Sequence, residues 1–251
     1  MNGMLRAELD RWAAAERTAT FWWRDDDAVT AGPALDRLFA AAGAVPLALA
    51  VVPMQAEAAL AAALAATGTQ VAVLQHGHRH TNHAAPGTKK AEFTDERDLD
   101  AMTAEVQVGR GRLFEVFGAR SIPIFVPPWN RCPAALTARL ADIGHRVLSA
   151  YGPRPARHAA PGLLQVNTHA DPIDWRGTRR FLGLGRLAEA LAGHLAARRQ
   201  GTADAVEPTG LLTHHLVHEP EDMAAIGGLV AEIAAHAAAR WLAAVDLLEA
   251  A

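Results

Sequence analysis

The stretch from Phe21 to Ala28 reads Phe-Trp-Trp-Arg-Asp-Asp-Asp-Ala and joins an aromatic, apolar run to three adjacent carboxylates. The run from Thr18 to Arg24 has the composition of a β-strand. Three adjacent carboxylates repel one another, and this repulsion is relieved when one of them binds a cation. A second carboxylate beside that cation can act as a base toward water. An acidic helix cap or turn is the alternative that these residues leave open.

Further apolar runs rich in β-formers follow this stretch, with helical spacing between them. They predict strands at 45–52, 71–75, 122–126, 146–151, 163–168 and 210–213. Helices are predicted at about 3–17, 33–42, 54–66, 95–117, 133–143, 178–199 and 221–249. This alternation favours parallel strands joined by helical crossovers, in an α/β barrel or a doubly wound sheet. The unusual polar residues stand directly after strand runs, which favours a distorted seven-stranded (β/α) barrel.

Length and composition limit the classes of protein to consider. A chain of 251 residues fits one domain, 1–251, because α/β barrels of about 200 to 250 residues fold as single units. The net charge of −3 gives no reason to expect a nucleic-acid partner. No apolar run approaches the roughly 20 residues that span a bilayer, and the N-terminus lacks a leader pattern, so a cytoplasmic location without membrane contact is expected. The single cysteine, Cys132, excludes an intramolecular disulfide and a thiolate metal cluster.

Seven of the twelve histidines lie in two short segments, 76–83 and 214–218. Neutral imidazole is a common ligand for zinc and similar divalent ions, and residues four apart on one helical turn point to the same side. His76 and His80 have this spacing, and we therefore predict that they bind a metal ion. His78 and His83 are expected to lie outside the ligand set.

Two more polar clusters follow predicted strands, at 125–131 and 169–175. Pro127 and Pro128 stiffen the exit from a strand and present Trp129 as a wall. Asp174 is a candidate to orient an imidazole by accepting its second N–H. Four tryptophans border the polar segments, and their flat faces suit either sugar-like ligands or core packing. They are Trp22, Trp23, Trp129 and Trp175.

In this order the segments resemble the polysaccharide deacetylase family of carbohydrate esterases, from Phe21 to His215. The adjacent aspartates of the family's first motif are similar to Asp26 and Asp27, which implies a base and a metal ligand. Asp25 in either role is the alternative. The second motif has two metal-binding histidines separated by three residues, as His76 and His80 are.

The other three motifs of the family are matched less closely. The third is similar to 126–129, the fourth to 171–175 and the fifth to 211–214. Ala28 replaces a usual glycine, and Val126 stands where the family has an arginine that steadies the catalytic aspartate. Arg24 or Arg131 would then do so from another direction.

The resemblance implies a metal-dependent hydrolase that removes an acetyl or related acyl group from an N-acylated, sugar-like substrate. Asp26 would be the base and His214 the acid, with His215 and His218 as further candidates for the acid and Asp174 as its tuning partner. The substrate would be a small molecule or glycan, bound by Trp23, Pro128, Trp129, Asn130, Trp175 and His215.

One divalent ion is expected, zinc first, with cobalt, nickel or manganese as alternatives, because two imidazoles and a carboxylate suit several ions. Two other functions stay open. One is a catalytically silent metal- or ligand-binding domain of the same fold, which the missing motif arginine favours. The other is a different metallohydrolase, such as a phosphoesterase.

Overall fold

In the computed structural model, which describes residues 1–249, strands and helices alternate along most of the chain. The strands are β1 (Ala19–Ala28), β2 (Leu47–Val51), β3 (Val71–His76), β4 (Ser121–Val126), β5 (Val147–Leu148), β6 (His158–Ala160), β7 (Leu163–Gln165), β8 (Thr209–Thr213) and β9 (Ala239–Trp241). The helices are α1 (Gly3–Ala14), α2 (Pro33–Ala42), α3 (Ala58–Ala66), α4 (Leu99–Phe117), α5 (Ala134–Arg139), α6 (Leu184–Gln200), α7 (Pro220–Ala234) and α8 (Asp246–Glu249). The last two residues of the predicted domain, Ala250 and Ala251, lie outside the described residues.

The strands form one curled sheet in the order β6-β7-β5-β4-β3-β2-β1-β8, with β9 paired to β1. The pairings are parallel except between β6 and β7. The sheet curls, because the segment that follows β7 reaches the strand at the other end of this order: Ala170 pairs with Leu211 of β8. The predicted α/β fold with a distorted barrel is confirmed, and each of the seven predicted strands is present. The predicted number of strands is too low, because within residues 1–249 the sheet also contains β6 and β9.

The alternation of side chains along the strands divides the core into an inner and an outer part. Trp22 and Ala48 belong to a cluster with residues of β3 and β4, whereas their neighbours Trp23 and Leu47 pack in the cluster that includes the helices. Successive residues of a strand face opposite sides of a sheet, so strands buried on both sides read as continuous apolar runs. This is why β2 is buried at all five residues.

The structure corrects the prediction of one helix over 221–249. Helix α7 ends at Ala234, and the chain then adds β9 to the sheet before the short helix α8. The ring of Trp241 lies 5.2 Å from that of Phe21 on β1, so this tryptophan belongs to a strand. Helix α6 likewise begins at Leu184 rather than 178, because a hairpin precedes it. No helix within residues 1–249 is long and apolar enough to cross a membrane.

Two neighbouring glycines of α7 test how closely this helix packs on α2. A Cβ added to Gly227 would lie 2.8 Å from Cα of Ala41, whereas one added to Gly228 would meet no atom within 4 Å. We expect Gly227→Ala to lower the free energy of unfolding by about 1–3 kcal/mol through overpacking. The matched control Gly228→Ala should raise it by about 0.5–1 kcal/mol through helix propensity. Urea unfolding measures both, and equal effects of the two variants would contradict this packing.

Candidate active site

The polar clusters meet at the carboxyl ends of the parallel strands. Strands β4, β3, β2, β1 and β8 are consecutive in the sheet, and the acidic triplet and both histidine segments stand at the ends of β1, β3 and β8. Because parallel strands end at the same edge of a sheet, residues far apart in sequence become neighbours there. This edge is therefore the candidate active site.

Asp27, His76 and His80 converge on one point. Oδ1 of Asp27 lies 3.1 Å from Nε2 of His76 and 3.3 Å from Nε2 of His80. The two histidines are not on a helical turn, as their spacing suggested; they flank a bend in which Gly77 and His80 have positive φ angles of 60° and 57°. The predicted set of three ligand atoms is thus brought together by a loop.

The protonation of His76 fits metal binding. Its Nδ1 lies 3.1 Å from the carbonyl oxygen of Val126, which can only accept, so Nδ1 carries a hydrogen and Nε2 is the nitrogen that faces Asp27. A lone pair and a carboxylate oxygen 3.1 Å apart are stabilised by a shared proton or cation. Two imidazoles and a carboxylate are also a common donor set for zinc and similar divalent ions. The residues present therefore fit a divalent ion.

The local electrostatics agree with these ligands. Burial works to raise the pKa of Asp27, but the hydrogen bond and the charge of His76 lower it well below its usual range. Burial and the nearby charge of His76 lower the pKa of His80. Burial works to lower the pKa of His76, but the hydrogen bond to Asp27 raises it. A cation held by Nε2 and the Asp27 carboxylate would take the place of that proton, because metal ions bind the deprotonated forms of their ligands.

A bulge in β1 separates the roles of the three aspartates. Asp25 pairs with Leu49 and Ala28 with Val51, so three steps along β1 match two along β2. Asp27 lies in this bulge and has a positive φ angle of 70°. A bulge re-aims side chains, and here it lets Asp26 and Asp27 both reach this edge of the sheet despite being adjacent.

Arg24 holds Asp26 in place. Nε of Arg24 lies 2.8 Å from Oδ1 of Asp26, and Nη2 donates to Oδ2 at 3.1 Å. Arg24 is fully buried, and its guanidinium also donates to Ser149 and Asn130. Such a two-point contact fixes the direction of a carboxylate.

Of the two arginines considered as substitutes for the arginine of the third motif, Arg24 has the required geometry. Arg131 instead donates to the backbone oxygen of Lys90. Val126, which stands where the arginine is usual, packs in the apolar core beside Trp22. The arginine that contacts Asp26 therefore lies on the same strand, β1, rather than on β4.

Asp25 forms a separate, buried pair with His215. Nδ1 of His215 lies 2.5 Å from Oδ1 of Asp25, whose Oδ2 accepts from the Thr213 hydroxyl and from the His215 backbone N–H. Burial works to lower the pKa of His215, but the Asp25 carboxylate raises it. Asp25 is thus occupied in orienting His215 and lies apart from the Asp27 group.

His214 lies under the hairpin that follows Ala170. Its ring meets the edge of Trp175 at 4.8 Å between centroids, and within residues 1–249 its buried Nδ1 has no hydrogen-bond partner. Burial raises the pKa of Asp171 above its usual value, and the nearby charge of His214 offsets only part of this effect. Asp171 also accepts from the Trp175 indole at 2.7 Å, so these three residues form one unit.

The expected position of Asp174 beside a histidine is corrected by the structure. Its carboxylate oxygens accept from the backbone N–H groups of Gly177 and Thr178, which closes the tip of the hairpin. An aspartate can form such a local turn by bonding to backbone two to four residues away. Asp171, three residues earlier, is the carboxylate near His214.

The predicted substrate-contacting residues fall into two groups. Trp129 and Asn130 both have positive φ angles, 55° and 57°, and the Trp129 ring lies 4.3 Å from that of His80. Trp175 is 41% exposed, so it too can meet a ligand. Trp23 is a correction: it is buried in the outer core, and its indole donates to Thr213. The remaining two are buried as well: Pro128 lies against Gly77, and His215 is paired with Asp25.

Two further histidines lie beside the site without joining the Asp27 group. His78, which was expected outside the ligand set, is half-buried, and burial lowers its pKa. His218 is buried and packs edge-on against Phe181, so its ring supports the hairpin. His214 and His215 therefore remain the candidates for an acid.

A second group of possible ligands lies in the core, where His169 stacks on His194 with 3.4 Å between ring centroids near Glu207. Nδ1 of His169 accepts the backbone N–H of Gly210, so Nε2 of the neutral ring carries the hydrogen and faces Glu207 at 3.3 Å. A protonated nitrogen does not bind a cation. This group is therefore a buried hydrogen-bond network that ties β8 to the segment after β7.

Sequence reasoning missed Glu92 and the role of Asp171. Glu92 is buried in a loop and accepts three backbone N–H groups around His80. Nothing in a single acidic residue of a polar loop signals this. Asp171 was visible as part of the predicted fourth motif, but spacing does not distinguish it from Asp174.

Comparison with solved structures relates the fold to deacetylases. A protein described as a polysaccharide deacetylase from Mycobacterium smegmatis superposes with a TM-score of 0.60 at 18% identity, over 93% of this chain and 90% of that one. The T48 deacetylase, solved with substrate, gives 0.57 at 16% identity, over 94% and 92%. The family 4 carbohydrate esterase from Streptomyces lividans, in complex with acetate, gives 0.55 at 15% identity, over 88% and 90%. Comparison with protein-family models and with curated protein sequences gave no match.

Proposed function

We propose, from the fold that this chain shares with polysaccharide deacetylases, that it is a metal-dependent hydrolase of N-acylated, sugar-like substrates. The observation that carries this proposal is the convergence of Asp27, His76 and His80 beside a second carboxylate, Asp26. A cation site with an adjacent, oriented carboxylate can activate a water molecule to hydrolyse an amide. The bond broken is the one between the acyl carbon and the amine nitrogen.

Asp27, His76 and His80 would hold one divalent ion, zinc first. When bound, such an ion polarises a carbonyl and lowers the pKa of a coordinated water. Asp26 would take the proton from the attacking water, and Arg24 would keep its carboxylate directed at that point. The buried Arg24 also leaves Asp26 little freedom to turn away.

His214 is the favoured acid for the departing amine. Its ring contacts Trp175, and its charge lowers the pKa of Asp27, so it lies near the proposed ligands. Asp171 accepts from the indole of Trp175, which lies against the His214 ring. His215 remains the alternative acid, because Asp25 orients its ring and raises its pKa.

Trp129 and Trp175 support a substrate with flat apolar faces, such as a sugar ring. One ring lies against the proposed ligand His80 and the other against the proposed acid His214, so each tryptophan contacts a residue of the proposed reaction. The solved deacetylase and carbohydrate esterase with bound substrate or acetate support the same substrate class. A cytoplasmic location stays a prediction.

The catalytically silent domain is less favoured, since its basis was the missing arginine of the third motif. Arg24 supplies a two-point contact to Asp26 in the absence of an arginine at 126. A phosphoesterase is also less favoured, because it commonly uses two metal ions close together. Within residues 1–249, the second group of possible ligands is the buried His169 network, away from these strand ends.

Metal content tests the proposal directly. Wild type should retain about one zinc ion per chain after reloading and dialysis, and His76→Ala with His80→Ala should lose it because two of three ligands are removed. The matched control is His78→Ala with His83→Ala, which removes two histidines of the same segment and should keep the metal. Release of acetate from N-acetylated oligosaccharides should follow the same pattern. Equal metal in all three proteins, or none in folded wild type, would refute the proposal.

A further inference from the structure

A buried carboxylate organises the bend that carries His80. The side chain of Glu92 is almost fully enclosed, and its Oε1 accepts the backbone N–H of Arg79 at 2.7 Å and of Thr81 at 3.3 Å. Its Oε2 accepts the N–H of His78 at 3.0 Å. The residues on both sides of His80 are thus tied to one anion.

Hydrogen bonds within the loop from Thr81 to Glu92 bring the Glu92 carboxylate back to the bend that carries His80. The His83 N–H donates to the Ala91 carbonyl, and the Asn82 side chain accepts from Ala91, so the loop closes just before Glu92. The next residue, Phe93, is buried with its ring 5.9 Å from that of Phe125 on β4. This packing anchors Glu92 against the sheet.

Gly77 leaves the space that Glu92 occupies. A Cβ at this position would overlap Oε2 of Glu92 and lie 2.5 Å from Pro128, and the backbone has a φ of 60°. Glycine is the residue that tolerates both the contact and the conformation. The absence of a side chain at residue 77 therefore allows the Glu92 carboxylate to pack against the bend.

Three N–H groups on one buried carboxylate form strong, charge-assisted bonds. They fix the bend at 78–81, and with it the positive φ of His80 that directs its ring at Asp27. Asp27 and His76 lie on strands, whereas His80 lies on a loop that has no β-sheet hydrogen bonds to hold its backbone. Of the three proposed ligands, His80 is therefore the one whose ring orientation depends most on a neighbouring side chain.

We propose that Glu92 is a positioning residue that holds His80 in place to bind the metal ion. This inference rests on the proposed metal site. Partners of this kind, which touch the ligand's support rather than the metal, commonly contribute about 10- to 100-fold to affinity.

Calorimetric titration with Zn²⁺ tests the inference. In Glu92→Gln one accepting oxygen becomes an NH₂ group that faces a backbone N–H, so the bend loses part of its support. We expect the Kd for Zn²⁺ to rise about 10- to 100-fold. The matched control is Glu96→Gln, which removes an exposed carboxylate of the same loop and should keep the wild-type Kd.

A double-mutant cycle separates positioning from general stability. If Glu92 acts through His80, then Glu92→Gln should weaken Zn²⁺ binding in wild type but have no further effect in the His80→Ala background. Glu92→Asp, which keeps the charge but retracts the oxygens, gives the same test should the glutamine variant not fold. Circular dichroism of the metal-free variants verifies that they are folded.

The outcomes distinguish the two proposals. Wild type that binds no Zn²⁺ would refute the proposed metal site itself. Zn²⁺ binding that is unchanged by the Glu92 variants, or weakened equally with and without His80, would refute the positioning role alone.

Discussion

Replacing Asp26 with asparagine is expected to lower kcat for deacetylation by about 10²- to 10⁴-fold, which is the usual contribution of a general base. Asparagine keeps the shape of the side chain and can still accept from Arg24, but it cannot take a proton from water. Because Asp27 supplies the carboxylate that faces His76 and His80, the affinity for Zn²⁺ should stay at the wild-type value. Acetate release and calorimetric titration measure the two quantities on the same preparation.

The neighbouring aspartates are the controls for this prediction. Asp27→Asn should lower Zn²⁺ affinity and activity together, because it weakens a ligand. Asp25→Asn should leave Zn²⁺ affinity intact, since Asp25 faces Thr213 and His215. If Asp26→Asn weakened the metal as much as Asp27→Asn does, the assignment of base and ligand would be wrong.

Replacing Arg24 with methionine is expected to lower the free energy of unfolding by about 3–5 kcal/mol. The guanidinium is fully buried against Asp26, which is itself 3% exposed. Removing the cation leaves a buried carboxylate without its counter-charge, and this cost dominates over the lost contacts. Urea unfolding at neutral pH measures the effect, and deacetylation should be lost in the same variant because Asp26 is no longer oriented.

The double variant Arg24→Met with Asp26→Leu shows where that cost comes from. When both charges are removed, the unpaired carboxylate disappears, and much of the lost stability should return. Activity should stay absent, because a leucine side chain has no atom that accepts a proton. A single variant that costs less than about 1 kcal/mol would mean that water or another group already screens Asp26.

The periodic parts of this fold could be predicted because burial repeats in the sequence. Strands β1, β2, β3, β4 and β8 are apolar runs enclosed on both sides, and the prediction found them within a few residues. The prediction failed between Ala234 and Glu249, where Ala-rich composition continues past the end of α7. There Trp241 enters the sheet by packing on Phe21, a contact between residues more than 200 positions apart. Local propensity carries no information about such a contact.

The candidate ligands were visible in the sequence because their residue types are few and their spacing is short. His76, His80 and an aspartate at the end of β1 could be proposed together from chemistry alone. The sequence did not decide among Asp25, Asp26 and Asp27, because alternation in a strand assigns sides only while the strand is regular. The bulge in β1 breaks that regularity, and it depends on the pairing with β2.

By itself, then, the sequence determined the α/β barrel and the types of residue at its active edge, since both follow from local pattern and chemistry. Tertiary structure alone decided that Arg24 supports Asp26, that Asp171 rather than Asp174 lies near His214, and that Trp23 is core. It also brought Glu92 back to the bend before His80. The physical reason is that these choices depend on the direction of side chains across the closed sheet. Packing and buried hydrogen bonds between distant residues set that direction.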